Sequence, residues 1–155
     1  MAARTDPWKV VGDLFLKLIN RAARHPERMS ETEWVVLRVW MLLGEVSNGG
    51  FDQYFSNSSG GHARPTLQAL KTIGETRAAD VLDRAMKVFP EPAADRELRS
   101  RQMKRLPKKR RAQFETLDRE LWDRGQTVVE KLAAFIKANK KDIRAKKERG
   151  GRRYE

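Results

Sequence analysis

Gln53 and Asn57 stand four residues apart, so a helix would carry both side-chain amides on one face, with Tyr54 and Ser58 beside them. Two amides, a phenol and a hydroxyl at that spacing could hold a peptide, a base or a small ligand. The rival reading is structural, with the amides satisfying loop backbone groups and the nearby aromatics packing under a central helix. Glu45 and Asp52 flank the same region and could act as a general acid–base pair, although Glu45 reads first as a surface or cap residue at a helix end. The only histidines, His25 and His62, sit in turn-like contexts beside a proline and glycines. Metal sites need more closely clustered ligands. There is no phosphate loop, nucleophile elbow or zincin pattern. The expectation is no catalytic residue, no metal, no cofactor and no enzymatic activity.

A second chemistry is offered by cations. The net charge is +12, and residues 96–113 hold nine basic side chains against one acidic. The candidates there are Arg99, Arg101, Lys104, Arg105, Lys108, Lys109, Arg110 and Arg111. Residues 136–155 hold nine basic side chains against three acidic, Lys140 and Lys141 among them. Closely spaced cations release the counterions condensed on nucleic acid. A solvated face balanced by the acidic residues Glu115 to Asp123 is the plainer reading. Neither block interleaves aromatics, so stacking on single strands is not supported, and contacts would fall on the phosphate backbone.

Helices must position these groups. Asp6-Pro7 starts one, as N-cap and first helical residue, and His25-Pro26 ends it. Ser30-Glu31-Thr32-Glu33 forms a capping box, with Glu33 reaching back to Ser30. The helix it opens, about 31–47, is apolar almost all round and therefore central and buried. The stretch Glu45–Gly61 that follows holds four glycines, four serines, two asparagines and three aromatics. Asn48, Gly49, Gly50 and Gly60 are its structural turn residues, with a left-handed glycine after the helix and a short aromatic helix near 50–57. Later segments start at Pro65 and at Thr76 and run over 93–106, where Leu98, Met103 and Leu106 are sparse anchors. Two more, marked by Phe114–Trp122 and Val128–Ile136, are separated at Gly125. No strand pattern or internal repeat is present. The fold class is all-α: a single compact domain of about seven or eight mostly short helices around a buried central helix. Residues 1–143 form the helical domain and 144–155 a basic, disordered tail.

The chain has no cysteine, which excludes disulfides, thiolate zinc sites and cysteine nucleophiles. The N-terminal residues show no signal-peptide apolar run, and Trp34–Leu43 is about half the ~20 residues of a membrane span. A cytoplasmic location and no membrane partner are expected.

Asn48, Gly49, Gly50, Phe51, Gln53, Tyr54, Phe55, Asn57, Ser58 and Gly60 match the pattern N-G-G-F-x-Q-[FY]-F-x-N-S-x-G, followed by A-L-K-T-I-G and V-F-P-E-P. Across roughly residues 30–140 the chain resembles the bacterial DNA-mimic protein family. That resemblance implies an all-helical fold and a dimeric protein that occupies the DNA-binding face of partner proteins. Mimicry of DNA needs carboxylates arrayed like phosphates, whereas the charge here is basic and would repel such a face. The resemblance thus carries over the fold and a regulatory module binding a macromolecular partner, most simply a protein, with a homodimer as the assembly. Direct, weakly specific nucleic-acid binding through blocks 96–113 and 136–155 is the alternative. A small-ligand receptor or enzyme at the glycine turn is the third reading.

Overall fold

The computed structural model describes residues 4–143. Within them the chain forms seven α-helices: α1 (Pro7–Arg24), α2 (Glu31–Ser56), α3 (Ala63–Thr72), α4 (Thr76–Met86), α5 (Arg96–Arg105), α6 (Lys108–Arg111) and α7 (Gln113–Ala138). Single 3₁₀ turns at Pro26–Arg28 and Ser58–His62 join α1 to α2 and α2 to α3. The fold is all-α, with no strand among the described residues. The basic segment 144–155 lies outside them.

Local signals set most of the boundaries. Asp6 accepts a hydrogen bond from the Trp8 N–H at 3.0 Å, and Pro7 follows as the first helical residue. Ser30 accepts from the Glu33 N–H at 3.1 Å. The Glu33 carboxylate does not return to Ser30. It is fully buried and takes the Arg21 guanidinium of α1 at 2.7 Å, because a desolvated carboxylate gains more from a cation than from a second cap bond. Gly74 ends α3 at a φ of 80°. Glu75, not Thr76, caps α4, accepting from the Ala78 N–H while its carboxylate also binds Arg124 of α7 at 2.9 Å.

Two helices run to 26 residues, so the set is less uniformly short than the sequence suggests. α2 is the central element, packing on α1, α3, α5 and α7. It is broken inside: Gly49 and Gly50 leave helical geometry, and Gly50 takes φ 70°, ψ −172°, a region open in practice to glycine alone. α7 passes through Gly125 without a break. A mid-helix glycine costs only about 1 kcal/mol, which the packing of α7 on α2, α4 and α1 outweighs.

The core beneath the break is aromatic. Phe51, Tyr54 and Phe55 of α2 meet Phe89 and Phe114, with Phe55 5.2 Å from Tyr54, 4.9 Å from Phe89 and 5.8 Å from Phe114 between ring centroids. All five rings are buried. Leu98, expected as an anchor, is instead 52 % exposed; α5 docks through Arg99 and Met103, one turn apart.

Candidate functional site

Three clusters contain the residues with chemical potential. The first forms around the break in α2. Gln53 Nε2 and Asn57 Nδ2 both donate to one carboxylate oxygen of Glu45, at 2.6 and 2.9 Å, and Ser59 Oγ reaches the other at 3.4 Å. Asn48 Nδ2 donates to Gln53 Oε1 at 2.8 Å. The amides are therefore on one face, as their spacing requires, but Glu45 already occupies them. Glu45 is the hub of this network rather than a free surface or cap residue. Asp52 takes no part, since it turns outward to Arg111 at 2.7 Å, so no Glu45–Asp52 acid–base pair exists.

Asp118 of α7 supplies the missing cap at the break. Its Oδ1 accepts from the Phe51 N–H at 2.8 Å, while a Cβ on Gly50 would collide with its carboxylate. Burial, followed by the nearby Asp52 and Glu115 charges, pushes the Asp118 carboxyl up from its ordinary value, against the Phe51 hydrogen bond. No local pattern in the sequence singles out Asp118, because its partner lies 67 residues away.

The second cluster is the basic region. Arg99 does not belong to its surface. The side chain is fully buried; Nε donates to Phe55 O at 2.6 Å, one terminal nitrogen to Asn57 O at 2.6 Å, and the other to Ala93 O and Ala94 O at 2.8 and 3.0 Å. A guanidinium presents five donors in a fixed fork, which suits four converging carbonyls. Gly60 and Gly61 allow that approach, since a Cβ would lie 2.7 Å from Phe55 Cα at the first and 2.6 Å from Ala94 O at the second. Arg101 pairs with Glu97 at 3.1 Å. With Arg111 on Asp52, the remaining set is Lys104, Arg105, Lys108, Lys109 and Arg110, all exposed. None has a side-chain hydrogen bond or ion pair among the described residues. Lys140 and Lys141 are exposed beyond the end of α7 and join no cluster with these in the described residues.

α6 runs into α7 through Ala112, which is itself helical at φ −61°, ψ −19°. Lys108–Arg111 thus occupy the opening turn of a nearly continuous helix, where the macrodipole favours anions and repels cations.

A family model for DMP19-like protein matches residues 27–139. The chain belongs to this family. The matched span opens in the turn before α2 and closes just after α7, so both the α2 break and the basic turn lie inside the DMP19-like region, whereas α1 lies outside it. Comparison with curated proteins and with solved structures gives no match.

The third cluster is a cavity of about 160 Å³ between α1, α2, the Ser58–His62 turn and α3. Ile19, Trp34, Leu37 and Met41 form its apolar wall. Arg38, His62, Tyr54 and Thr66 bring polar groups to it. Arg38 sits over the Trp34 ring, 5.1 Å from its centroid, and makes no hydrogen bond or ion pair among the described residues. Thr66 Oγ1 donates to His62 O at 2.8 Å, so the Tyr54 hydroxyl donates in its 3.4 Å contact with Thr66. Burial pushes the Tyr54 hydroxyl pKa up to about 12. Of the four residues proposed from sequence as ligand contacts, Tyr54 and Ser58 line this cavity, and Gln53 and Asn57 do not. Arg38 and His62 were not among them. Their signal was a lone arginine inside an otherwise apolar helix and a histidine closing a glycine turn.

No helix among the described residues is long and apolar enough to cross a membrane.

Proposed function

We propose that this DMP19-like protein is a non-enzymatic, regulatory interaction module that binds a partner protein through an acidic face of that partner. Membership of the family supports the module; the charge of the basic turn gives the sign of the partner. The observation that carries the reading is the placement of Lys108, Lys109 and Arg110 in the first turn of a helix, where they cost stability, beside Lys104 and Arg105. Proteins retain locally unfavourable groups where function requires them. In this reading the protein is cytoplasmic, as its lack of cysteine favours, and a homodimer, as the family resemblance implies.

The same five cations favour a second reading, direct low-specificity binding to nucleic acid. Five phosphate contacts would lower affinity roughly 500-fold between about 50 and about 200 mM salt. Capture of partners from the native host on immobilised protein, with and without nuclease, separates the two. The first reading expects one acidic protein retained after nuclease and lost when Lys104, Arg105, Lys108, Lys109 and Arg110 are all changed to Gln. Retention only of nucleic acid supports the second, and capture unaffected by the five substitutions refutes both.

A further inference from the structure

The cavity between α1, α2, the Ser58–His62 turn and α3 shares no lining residue with the basic turn, and its chemistry differs. Its wall is apolar on one side, through Trp34, Leu37 and Met41, and carries a single permanent charge, Arg38. No carboxylate lines it. Arg38 is half-buried, and the Trp34 ring beneath its guanidinium supplies cation–π attraction and holds the fork in one orientation. Five N–H donors are thus positioned at the edge of a half-open, largely apolar space with no protein acceptor among the described residues. A planar, bidentate anion complements that arrangement better than a point acceptor does.

The size limits what can follow the anion. A cavity of about 160 Å³ is close to the ~150 Å³ that holds one benzene ring. It has room for one ring or one short branched chain and for little more. The remaining polar groups are mild. Burial, then the Arg38 and Arg99 charges, holds the His62 imidazole below its ordinary pKa, so it adds a neutral donor and acceptor and not a second cation. One fixed positive charge matches one negative charge.

We propose that this cavity is a binding site for a small monocarboxylate bearing one aromatic ring or one branched aliphatic chain, with Arg38 taking the carboxylate and Trp34, Leu37 and Met41 taking the apolar body. The site is independent of the partner-binding reading. Tyr54 and Thr66 close its inner end by bonding to each other and to His62 O. Ser58 stands at the open side, exposed.

Isothermal titration of the full-length protein with phenylacetate and with isovalerate tests the assignment, with phenylacetamide as the uncharged control and acetate as the control lacking an apolar body. One or both carboxylates should bind with one-to-one stoichiometry, and both controls roughly tenfold or more weakly. Arg38→Gln should weaken the bound carboxylate roughly tenfold to hundredfold, and Arg38→Lys should recover only part of that loss. Because Arg38 makes no hydrogen bond or ion pair among the described residues, the circular dichroism spectrum of Arg38→Gln should match that of the parent, with the urea midpoint lowered only by the lost contact with the Trp34 ring. Ser58→Trp, at an exposed position, should block the opening and abolish binding independently. The proposal is overturned if neither carboxylate binds, if phenylacetamide binds as well as phenylacetate, or if Arg38→Gln leaves affinity unchanged.

Discussion

At the scale of single residues, Arg99 and His62 show how differently a buried charge and a titratable ring nearer the surface behave here. Arg99 has no carboxylate partner. Its acceptors are carbonyls, two of them, Phe55 O and Asn57 O, at the C-terminal end of α2, where the helix dipole is negative. It therefore satisfies orphan carbonyls and supplies charge complementary to the dipole at once. Arg99→Met should lower unfolding stability by about 3 kcal/mol or more, because several acceptors lose their donor together; the urea midpoint reads this. Arg99→Lys should rescue little, since an ammonium cannot span carbonyls on both α2 and the 93–94 loop. His62 gives a pH dependence instead. Burial first, then Arg38 and Arg99, lower its pKa from 6.5, so the fold favours the neutral ring. Stability from this preference is complete above the unfolded value and is lost as pH falls below 6.5 through the folded value. Between about pH 7.5 and about pH 5.5 the urea midpoint should fall further for the parent than for His62→Gln. Equal slopes would remove His62 from the acid response.

At the scale of elements, the break in α2 and the continuity of α7 follow from what a Cβ would meet. Gly50→Ala must adopt a φ of 70° and meet the Asp118 carboxylate. Backbone strain of this kind costs on the order of 1–3 kcal/mol before the collision is added. Gly125→Ala meets nothing within 4 Å in an intact helix, so it should stabilise by about 0.5–1 kcal/mol. The opposite signs of these two alanine substitutions, read as thermal midpoints, test the distinction directly. Both glycines look alike in the sequence, which is why a helix end is expected at each. Ends set by local chemistry were legible: Asp6-Pro7, His25-Pro26 and Ser30 each act on atoms within four residues. Features set by distant partners were not. Asp118 capping Phe51 and Glu33 turning to Arg21 depend on α7 and α1 being where they are. The four-residue spacing of Gln53 and Asn57 puts both amides within reach of one acceptor, but their occupation by Glu45 depends on the chain folding back across the break. Arg99 was hidden among eight other basic residues of its block, and only the glycine pair Gly60-Gly61 that receives it hinted at a close approach.

At the scale of the whole molecule, most basic charge is set apart from the core and part of it is set against the helix that carries it. Some exposed cations elsewhere have partners: Lys87 meets Asp83 at 2.8 Å, and Arg84 meets both Asp80 and Glu120; others, such as Lys17 and Arg119, stand singly. Lys104, Arg105, Lys108, Lys109 and Arg110 form the contrast, crowded within seven residues without a carboxylate among the described residues. Mutual repulsion and the α7 dipole then act in the same direction for Lys108 and Lys109. Exposed substitutions there should not disturb packing. Lys108→Glu and Lys109→Glu should each raise stability by about 0.3–1 kcal/mol at low ionic strength, and the gain should shrink as salt screens it over about 10 Å at 0.1 M. If these residues serve only to solvate the surface, the stabilised variants should capture partners as well as the parent does. If they are retained for binding, the same changes that raise the thermal midpoint should weaken capture, with the loss greatest at low salt, where the charge acts furthest. Measuring both quantities on one pair of variants separates a solvated face from an interface, because only an interface makes stability and binding move in opposite directions.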